Sequence, residues 1–512
     1  MELALALNKD SKEPLQAQIF DRLRGLILSG KLHAAANLPP SRALAERLSV
    51  SRNTVIHAYE RLAAEGYIES RGTAGMFVSS LLPDDLLLVS TGAPVAKGRP
   101  EERREHAEEE SSEPVLCFAG SPGGQGKSAR PEIDFWVGRC AASTFPVRVW
   151  RRLIMRKLEE VDDHLTDYCD PSGLPELRQV IAEHLARARG ITIEASQVVV
   201  TSGSQDALNF VYRLVADRYQ SFFCENPCYQ GAALLFQSLG ARVHPVEIDA
   251  AGLKTGALPQ DRSGVAFVTP SHQFPMGMTL SLERRLQLLQ WAERTDSLVI
   301  EDDYDSDFRY DGPPLTALAG LDNCRRVFYL GTFSKSLGAG LRLGYAVVPK
   351  SFAKRTQVVK AHMSNGQPWL DQAVLTEFLR SGEFDRHLRR TRKVYKSRRD
   401  HLIQCLKTHF PQTRIGGNDA GLHLIWRLPK GFPPATAIQA KAREHGIGIY
   451  TLGSGAATCF DSDPPEDILL LGYPSVSEDA ISFAIARLRG LIDRMQQGQE
   501  DAQLEEREMR VG

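Results

Sequence analysis

The chain has 512 residues, 42% of them hydrophobic, and a formal net charge of −1. That length exceeds one compact core and predicts two or more domains. The near-neutral charge excludes a global attraction to nucleic acid, so any DNA-binding surface must be local. The sequence opens with no signal-peptide pattern and holds no uncharged apolar run of about 18 residues, which predicts a cytoplasmic protein without membrane contact. The eight cysteines form no CxxC pair, and Cys224 and Cys228 lack a second ligand pair, so neither a disulfide framework nor a metal site is expected.

Residues 12–80 read as one small unit with ten Lys/Arg against eight Asp/Glu up to residue 80. Leu15, Ile19, Leu23, Leu26 and Ile27 recur at helical spacing, and Gly30 can end that helix. After Leu38-Pro39-Pro40, Ser41 is a candidate N-cap for a short second helix through Leu44 and Leu48. Ser51 caps a third helix carrying Val55, Tyr59 and Leu62. Tyr67–Ser70 and Met76–Ser79 read as two short strands around a glycine-rich tip. This is the pattern of a winged helix-turn-helix. Such a unit presents the start of its second motif helix to base edges in the major groove. Here that segment is Ser51, Arg52, Asn53 and Thr54: arginine suits guanine, asparagine suits adenine, and the hydroxyls suit phosphates or bases. Ser41 and Arg42 can hold a phosphate, and Arg71, Gly72 and Thr73 form the wing. Taken alone, Ser-Arg-Asn-Thr also fits an ordinary helical surface with capping serines.

Residues 81–130 shift to Gly, Pro and mixed charge and read as a flexible linker. A DNA-touching arm is disfavoured there because Glu101–Glu110 carries more acid than base. From 131 to 492, helices alternate with short apolar strands such as Gln197–Thr201, Gly264–Thr269, Leu298–Ile300 and Arg326–Leu330. That alternation predicts an α/β fold with a mainly parallel sheet. Residues 493–512 read as a polar, fraying tail.

Four strand-exit segments carry candidate chemistry. Thr201-Ser202-Gly203-Ser204-Gln205 opens a helix whose free N–H groups suit a phosphate dianion. Tyr229, after Asn226-Pro227-Cys228, is either a stacking ring or a core tyrosine. Glu301-Asp302-Asp303-Tyr304 follows a strand, where acids do ligand work in open α/β sheets; a solvated acidic turn or a divalent-metal site is the alternative. Gly331-Thr332-Phe333-Ser334-Lys335 places a lysine beside hydroxyls, with Arg342 seven residues on. In this order they supply phosphate donors, a stacking aromatic, a ring-nitrogen acid and a Schiff-base lysine, the needs of a pyridoxal phosphate site.

PLQAQIFDRLRGLILSGKL, LPPSRALAERLSVSRNTVIHAYERLAAEGYIESR and GTAGMFV resemble the GntR-type winged helix, although His33–Asn37 replaces the usual Pro-Gly and basic residue. YCDPSGLPELRQVIAEHLARARGI, TSGSQDALNF, TPSHQFPMG, EDDYDSDFRYDGPPLTALAGLD and VFYLGTFSKSLGAGLRLGYAVVP resemble the MocR-type regulators. In that branch a GntR domain is fused to a fold-type-I aminotransferase-like domain with a smaller C-terminal subdomain. The resemblance implies pyridoxal phosphate on Lys335. It also implies ring contacts from Asp302, Tyr304 and Tyr229, and phosphate contacts from Ser204, Gln205, Thr332 and Arg342. Tyr168 would reach the neighbouring subunit's phosphate. It further implies a head-to-tail homodimer that binds double-stranded DNA at paired half-sites and responds to the cofactor, alone or joined to a small amine or amino-acid effector. Two departures matter. Phe274-Pro275-Met276-Gly277 replaces Asn-Pro-x-Gly, and Leu470 falls where many aminotransferases place an arginine for the substrate carboxylate. Leucine cannot make that charged fork, so transamination is expected to be weak or absent. An active aminotransferase with an auxiliary DNA-binding domain is the alternative, and a DNA-binding protein with a dimerising scaffold is a third.

Overall fold

The computed structural model describes residues 7–8, 13–72, 75–79, 130–310, 316–460 and 464–511, of which 498–511 by their backbone alone. Thr73 and the linker read over 81–130, except Arg130, lie outside the described residues. The chain divides into two units, Met1–Ser112 and Glu113–Gly512.

The first unit contains α1 (Leu15–Leu28), α2 (Ser41–Leu48), α3 (Arg52–Ala64) and an antiparallel hairpin of β1 (Ile68–Ser70) and β2 (Met76–Val78). The helical periodicity of α1 puts Ile19, Leu23 and Ile27 inside, against Leu44 of α2 and Val55 and Leu62 of α3. Ser49 turns the chain between α2 and α3 at φ 52°. Ser51 caps α3, its Oγ accepting from the Thr54 amide at 3.1 Å. Ser41 is not a cap. Pro40, in extended conformation, precedes α2, and Ser41 is its first helical residue. The Ser41 hydroxyl instead accepts from Arg52 Nε at 3.4 Å. The hairpin is anchored from behind, where Leu38 donates to Met76 O at 2.8 Å.

The second unit is built on an eight-stranded sheet. Its strands are β4 (Val198–Thr201), β5 (Ser221–Asn226), β7 (Arg242–Asp249), β8 (Gly252–Leu253), β9 (Val265–Val268), β10 (Leu298–Asp303), β11 (Val327–Thr332) and β12 (Gly344–Val347), with the two-residue β3 (Ile133–Asp134) and β6 (Cys228–Tyr229) outside it. The order across the sheet is β4-β12-β11-β10-β9-β5-β7-β8. β11, β10, β9, β5 and β7 run parallel, and β12 lies antiparallel between β4 and β11. Val198-Val199-Val200-Thr201 is buried on both faces, as a helix-covered sheet requires of a β-branched run.

The helices flanking the site are α4 (Val147–Glu159), α5 (Pro175–Arg189) and α6 (Ser204–Val215), followed by α7 (Gln230–Ser238), α8 (Leu282–Arg294), α9 (Leu318–Leu321), α10 (Ala353–Ser364) and α11 (Trp369–Arg380). The 27-residue α12 (Glu383–His409) leads into a three-stranded antiparallel sheet of β13 (Arg414–Gly416), β14 (His423–Arg427) and β17 (Ile468–Gly472). α13 (Ala435–Glu444), β15 (Ile447–Gly448) and β16 (Ala457–Thr458) precede β17, and α14 (Glu478–Val511) follows it. The tail expected to fray over 493–512 is therefore a continuation of α14 through Val511. Its Gln, Glu, Ala, Leu, Arg and Met are good helix formers, and a polar composition alone does not stop a helix. No described helix is long and apolar enough to cross a membrane.

Candidate functional site

The candidate cofactor residues converge at the carboxyl ends of the parallel strands, where an open α/β sheet leaves a crevice. Two segments read as loops are strand. β10 runs on through Asp303, paired with β11, and β11 through Thr332, paired with β12, so the acids and the threonine are held in the sheet. Lys335 follows in a short helical turn, Ser334–Gly338. Its Nζ donates to Gly138 O at 3.2 Å. Gly138 has φ +82°, and a Cβ there would stand 2.4 Å from that Nζ, so only glycine fits.

Asp302 is 4% exposed, and its Oδ1 is buried without a hydrogen-bond partner among the described residues. Burial, reinforced by Asp303, pushes its carboxyl up to about 7, while the nearby Lys335 ammonium pulls the other way. An orphaned acid of this kind suits a cationic N–H donor. Tyr304 Oη lies 3.0 Å from His272 Nδ1, which is also 2.9 Å from Asp305 Oδ2. Burial and the Asp305 carboxylate hold the Tyr304 phenol well above its ordinary value. Tyr229 accepts from Gln205 Nε2 at 3.3 Å.

At the start of α6, Gly203 adopts φ +107° as the N-cap. A Cβ on Gly203 would lie 3.5 Å from the Arg342 guanidinium, so glycine leaves room between that cation and the helix N-terminus. The first amides of α6, at Ser204 and Gln205, have no intrahelical acceptor. Helix dipole and guanidinium together make a cradle for a phosphate dianion. Thr332 Oγ1 accepts from the Ser334 amide at 3.1 Å. Tyr168 stands apart, 83% exposed.

Sequence reasoning passed over several of these partners. Gly138 lies 197 residues from Lys335, and no local pattern links them. His272 and His423 are both buried, 5.2 Å apart between ring centroids. With Asp305 they form a group whose potential ligand atoms lie within 4.8 Å of one another. His423 Nε2 faces Pro275 O at 2.7 Å; a carbonyl only accepts, so that nitrogen carries the proton. Burial holds the His423 ring down to about 3. Leu470 is 1% exposed, in an apolar cluster with Phe274, Ile425 and Tyr450 against which Tyr229, Tyr304 and Trp136 pack. Beside the candidate cofactor residues Tyr229 and Tyr304, Leu470 is thus part of an apolar wall.

In the first unit, Ser51, Arg52 and Asn53 are exposed at the start of α3, and Thr54 is half-buried. Asn53 has no partner among the described residues. Arg42 pairs with Glu46 at 3.4 Å, and Arg71 with Glu69 at 2.6 Å. Gly72 is exposed at the wing, with φ +61°.

Residues 15–78 match the gntR family of bacterial regulatory proteins, and residues 133–477 match aminotransferase class I and II. The chain is 35% identical to the probable rhizopine catabolism regulatory protein MocR of Rhizobium meliloti, over 95% of each chain. It is 29% identical to the HTH-type pyridoxine biosynthesis transcriptional regulator PdxR of Corynebacterium glutamicum, over 95% of this chain and 98% of that one. An archaeal alanine:glyoxylate aminotransferase superposes with a TM-score of 0.65 at 26% identity, covering 71% of this chain and 91% of that one. The Pyrococcus horikoshii kynurenine aminotransferase gives 0.64 at 26% identity, with the same coverage. A GntR winged helix joined to a fold-type-I aminotransferase-like domain defines a DNA-binding transcription regulator built on an enzyme's scaffold. The chain belongs to the MocR-type regulators of the GntR superfamily. Class I and II aminotransferases depend on pyridoxal phosphate, so that cofactor is expected here.

Proposed function

We propose that this regulator holds pyridoxal phosphate on Lys335 and senses the cofactor, alone or joined to a small amine or amino compound. The observation that carries the reading is the orphaned Asp302 carboxyl standing near Lys335, with the Arg342–α6 cradle built around the same crevice. When bound, the cofactor supplies an aldehyde that condenses with primary amines and a ring that withdraws electrons. Lys335 Nζ anchors it covalently. Asp302 Oδ1 accepts the ring N–H, and Tyr304 orients the phenolic oxygen. Tyr229 covers the ring face and excludes water. Ser204, Gln205, Thr332 and Arg342 hold the phosphate. Tyr168, exposed on its own subunit, reaches the neighbour's phosphate in a head-to-tail dimer. Ser41, Arg42, Ser51, Arg52, Asn53, Thr54, Arg71, Gly72 and Thr73 face the operator, and two such units read paired half-sites. The effector binds in the cytoplasm through its amine. The apolar wall at Leu470 offers no guanidinium fork for a carboxylate, which favours sensing over transamination.

The test is a visible absorbance scan of the purified chain and of Lys335→Ala, followed by binding to its own upstream DNA. The expected result is a band at roughly 410–430 nm in the wild type that is lost in the variant, with specific DNA binding by the wild type. No band even with added cofactor leaves only a scaffold. Multiple turnovers with amine and keto-acid pairs convert the protein into a working aminotransferase.

A further inference from the structure

Beside the cofactor crevice lies a cleft of about 370 Å³ between the end of α5, the Ser306–Arg309 segment and α12. That volume falls within the range of small-ligand sites. Five arginines line it: Arg187, Arg189, Arg309, Arg389 and Arg392. The carboxylates on its wall are Asp307 and Asp385. Two of the arginines are committed to the fold. Arg189 pairs with the buried Asp303 at 2.8 Å and with Asp307 at 3.5 Å, and Arg392 Nε donates to the Asp307 carbonyl. Arg187 Nε donates to Glu183 O at 3.3 Å. Arg309 and Arg389 have no hydrogen-bond or ion-pair partner among the described residues, and the Nε of the half-buried Arg309 is shut off from solvent.

Charges of one sign gathered in a concave, partly desolvated wall repel one another and raise the local concentration of counter-ions. The half-buried Arg309 guanidinium, left without a partner there, has lost hydration and gained nothing in exchange, and the exposed Arg389 lies on the same wall. Planar guanidinium forks match carboxylate and phosphate oxygens two at a time. We infer that this cleft binds a small anion bearing carboxylate or phosphate groups, held by Arg309 and Arg389, at a site distinct from the cofactor crevice.

The cleft also communicates with that crevice. A second cavity, of about 20 Å³, shares His184, Arg189, Ser306 and Asp307 with the cleft and reaches Tyr304 and Thr332. Arg189 stands in both walls and neutralises Asp303, the neighbour of Asp302. An anion on Arg309 and Arg389 adds negative charge beside Arg189 and so changes the field at the residues proposed to hold the cofactor. The binding claim stands or falls without the cofactor reading.

The test is isothermal titration of the full-length chain at low ionic strength, with glutarate in one arm and inorganic phosphate in the other. The expected result is saturable binding of one anion per chain in at least one arm, weakened tenfold or more in Arg309→Gln/Arg389→Gln; the stronger arm tells carboxylate from phosphoryl recognition. Because neither side chain makes a hydrogen bond or ion pair among the described residues, the double variant is expected to keep a melting temperature close to the wild type's. Should it not fold, Arg389→Glu, which reverses an exposed charge on the same wall, is expected to weaken binding by the same factor. Absence of saturable binding in both arms overturns the inference, as does undiminished binding in the folded variant. Binding that survives these variants and vanishes in Arg342→Gln belongs to the phosphate cradle, and likewise overturns it.

Discussion

Glu225, at the end of β5, shows how single residues of this crevice answer to pH. Its Oε2 accepts from the Thr269 amide at 3.1 Å and from the Thr269 hydroxyl at 2.8 Å, while Oε1 is buried without a partner among the described residues. Burial pushes the carboxyl up to about 7, against an ordinary value of 4.5. A carboxyl whose folded value is raised binds its proton more tightly folded than unfolded. Its contribution to stability is present at low pH and is lost as pH rises from about 4.5 through 7. At about 1.4 kcal/mol for each pH unit of displacement, the ceiling is about 3 kcal/mol. Glu225→Gln is therefore expected to flatten the fall in melting temperature between pH 5 and 8, as read by circular dichroism in matched buffers. An unchanged slope would show that the group ionises freely in the fold. The candidate residues at this scale could be picked out beforehand: an acid, a tyrosine and a lysine that follow strands, with an arginine seven residues beyond the lysine. Their partners could not. His272, Asp305 and His423 meet because the exits of β9 and β10 and the start of β14 come to one place, and no spacing in the sequence encodes that convergence.

Elements carry the next layer. In the first unit the sequence pattern and the fold agree closely, because its elements are short, each carries its own cap or turn signal, and all pack within one short stretch of chain. The helical stripe of α1, the Ser51 cap and the glycine-tipped wing each follow from neighbours in the chain. The difference at Ser41 arises because two prolines already set the entry to α2, which leaves the hydroxyl free for Arg52. In the second unit, strand cores were readable and strand ends were not. The acids of β10 look like loop in isolation, yet sheet pairing with β11 extends the strand through them. The wing offers a test. Arg71 is tied to Glu69 in a half-exposed pair, 46% and 45% accessible, of a kind that contributes about 1 kcal/mol or less. Glu69→Gln releases Arg71 for a phosphate. Operator affinity at low salt is expected to rise a few-fold, and the slope of log affinity against log salt to steepen by about one. An unchanged slope in a filter-binding or fluorescence titration would place the wing away from the DNA backbone.

At the scale of the whole molecule, the proposed homodimer, carrying two α3 helices, is expected to bind paired half-sites far better than one. Scrambling one half-site of the operator is expected to weaken binding by about two orders of magnitude, the scale on which linked contacts add. Equal affinity for single and paired half-sites would mean that each chain reads DNA alone. The sheet order has a consequence for how the protein is made. β4 forms no pairs until β12 arrives, because its neighbour in the sheet is Gly344–Val347 rather than the strand that follows it in the chain. On the ribosome, that valine-rich segment waits unpaired through more than a hundred further residues, exposed to the hazards of any unsatisfied strand edge. The winged helix closes on contacts within its own short stretch and can fold as it emerges. Each newly made copy thus acquires its DNA-reading half well before its sensing half exists.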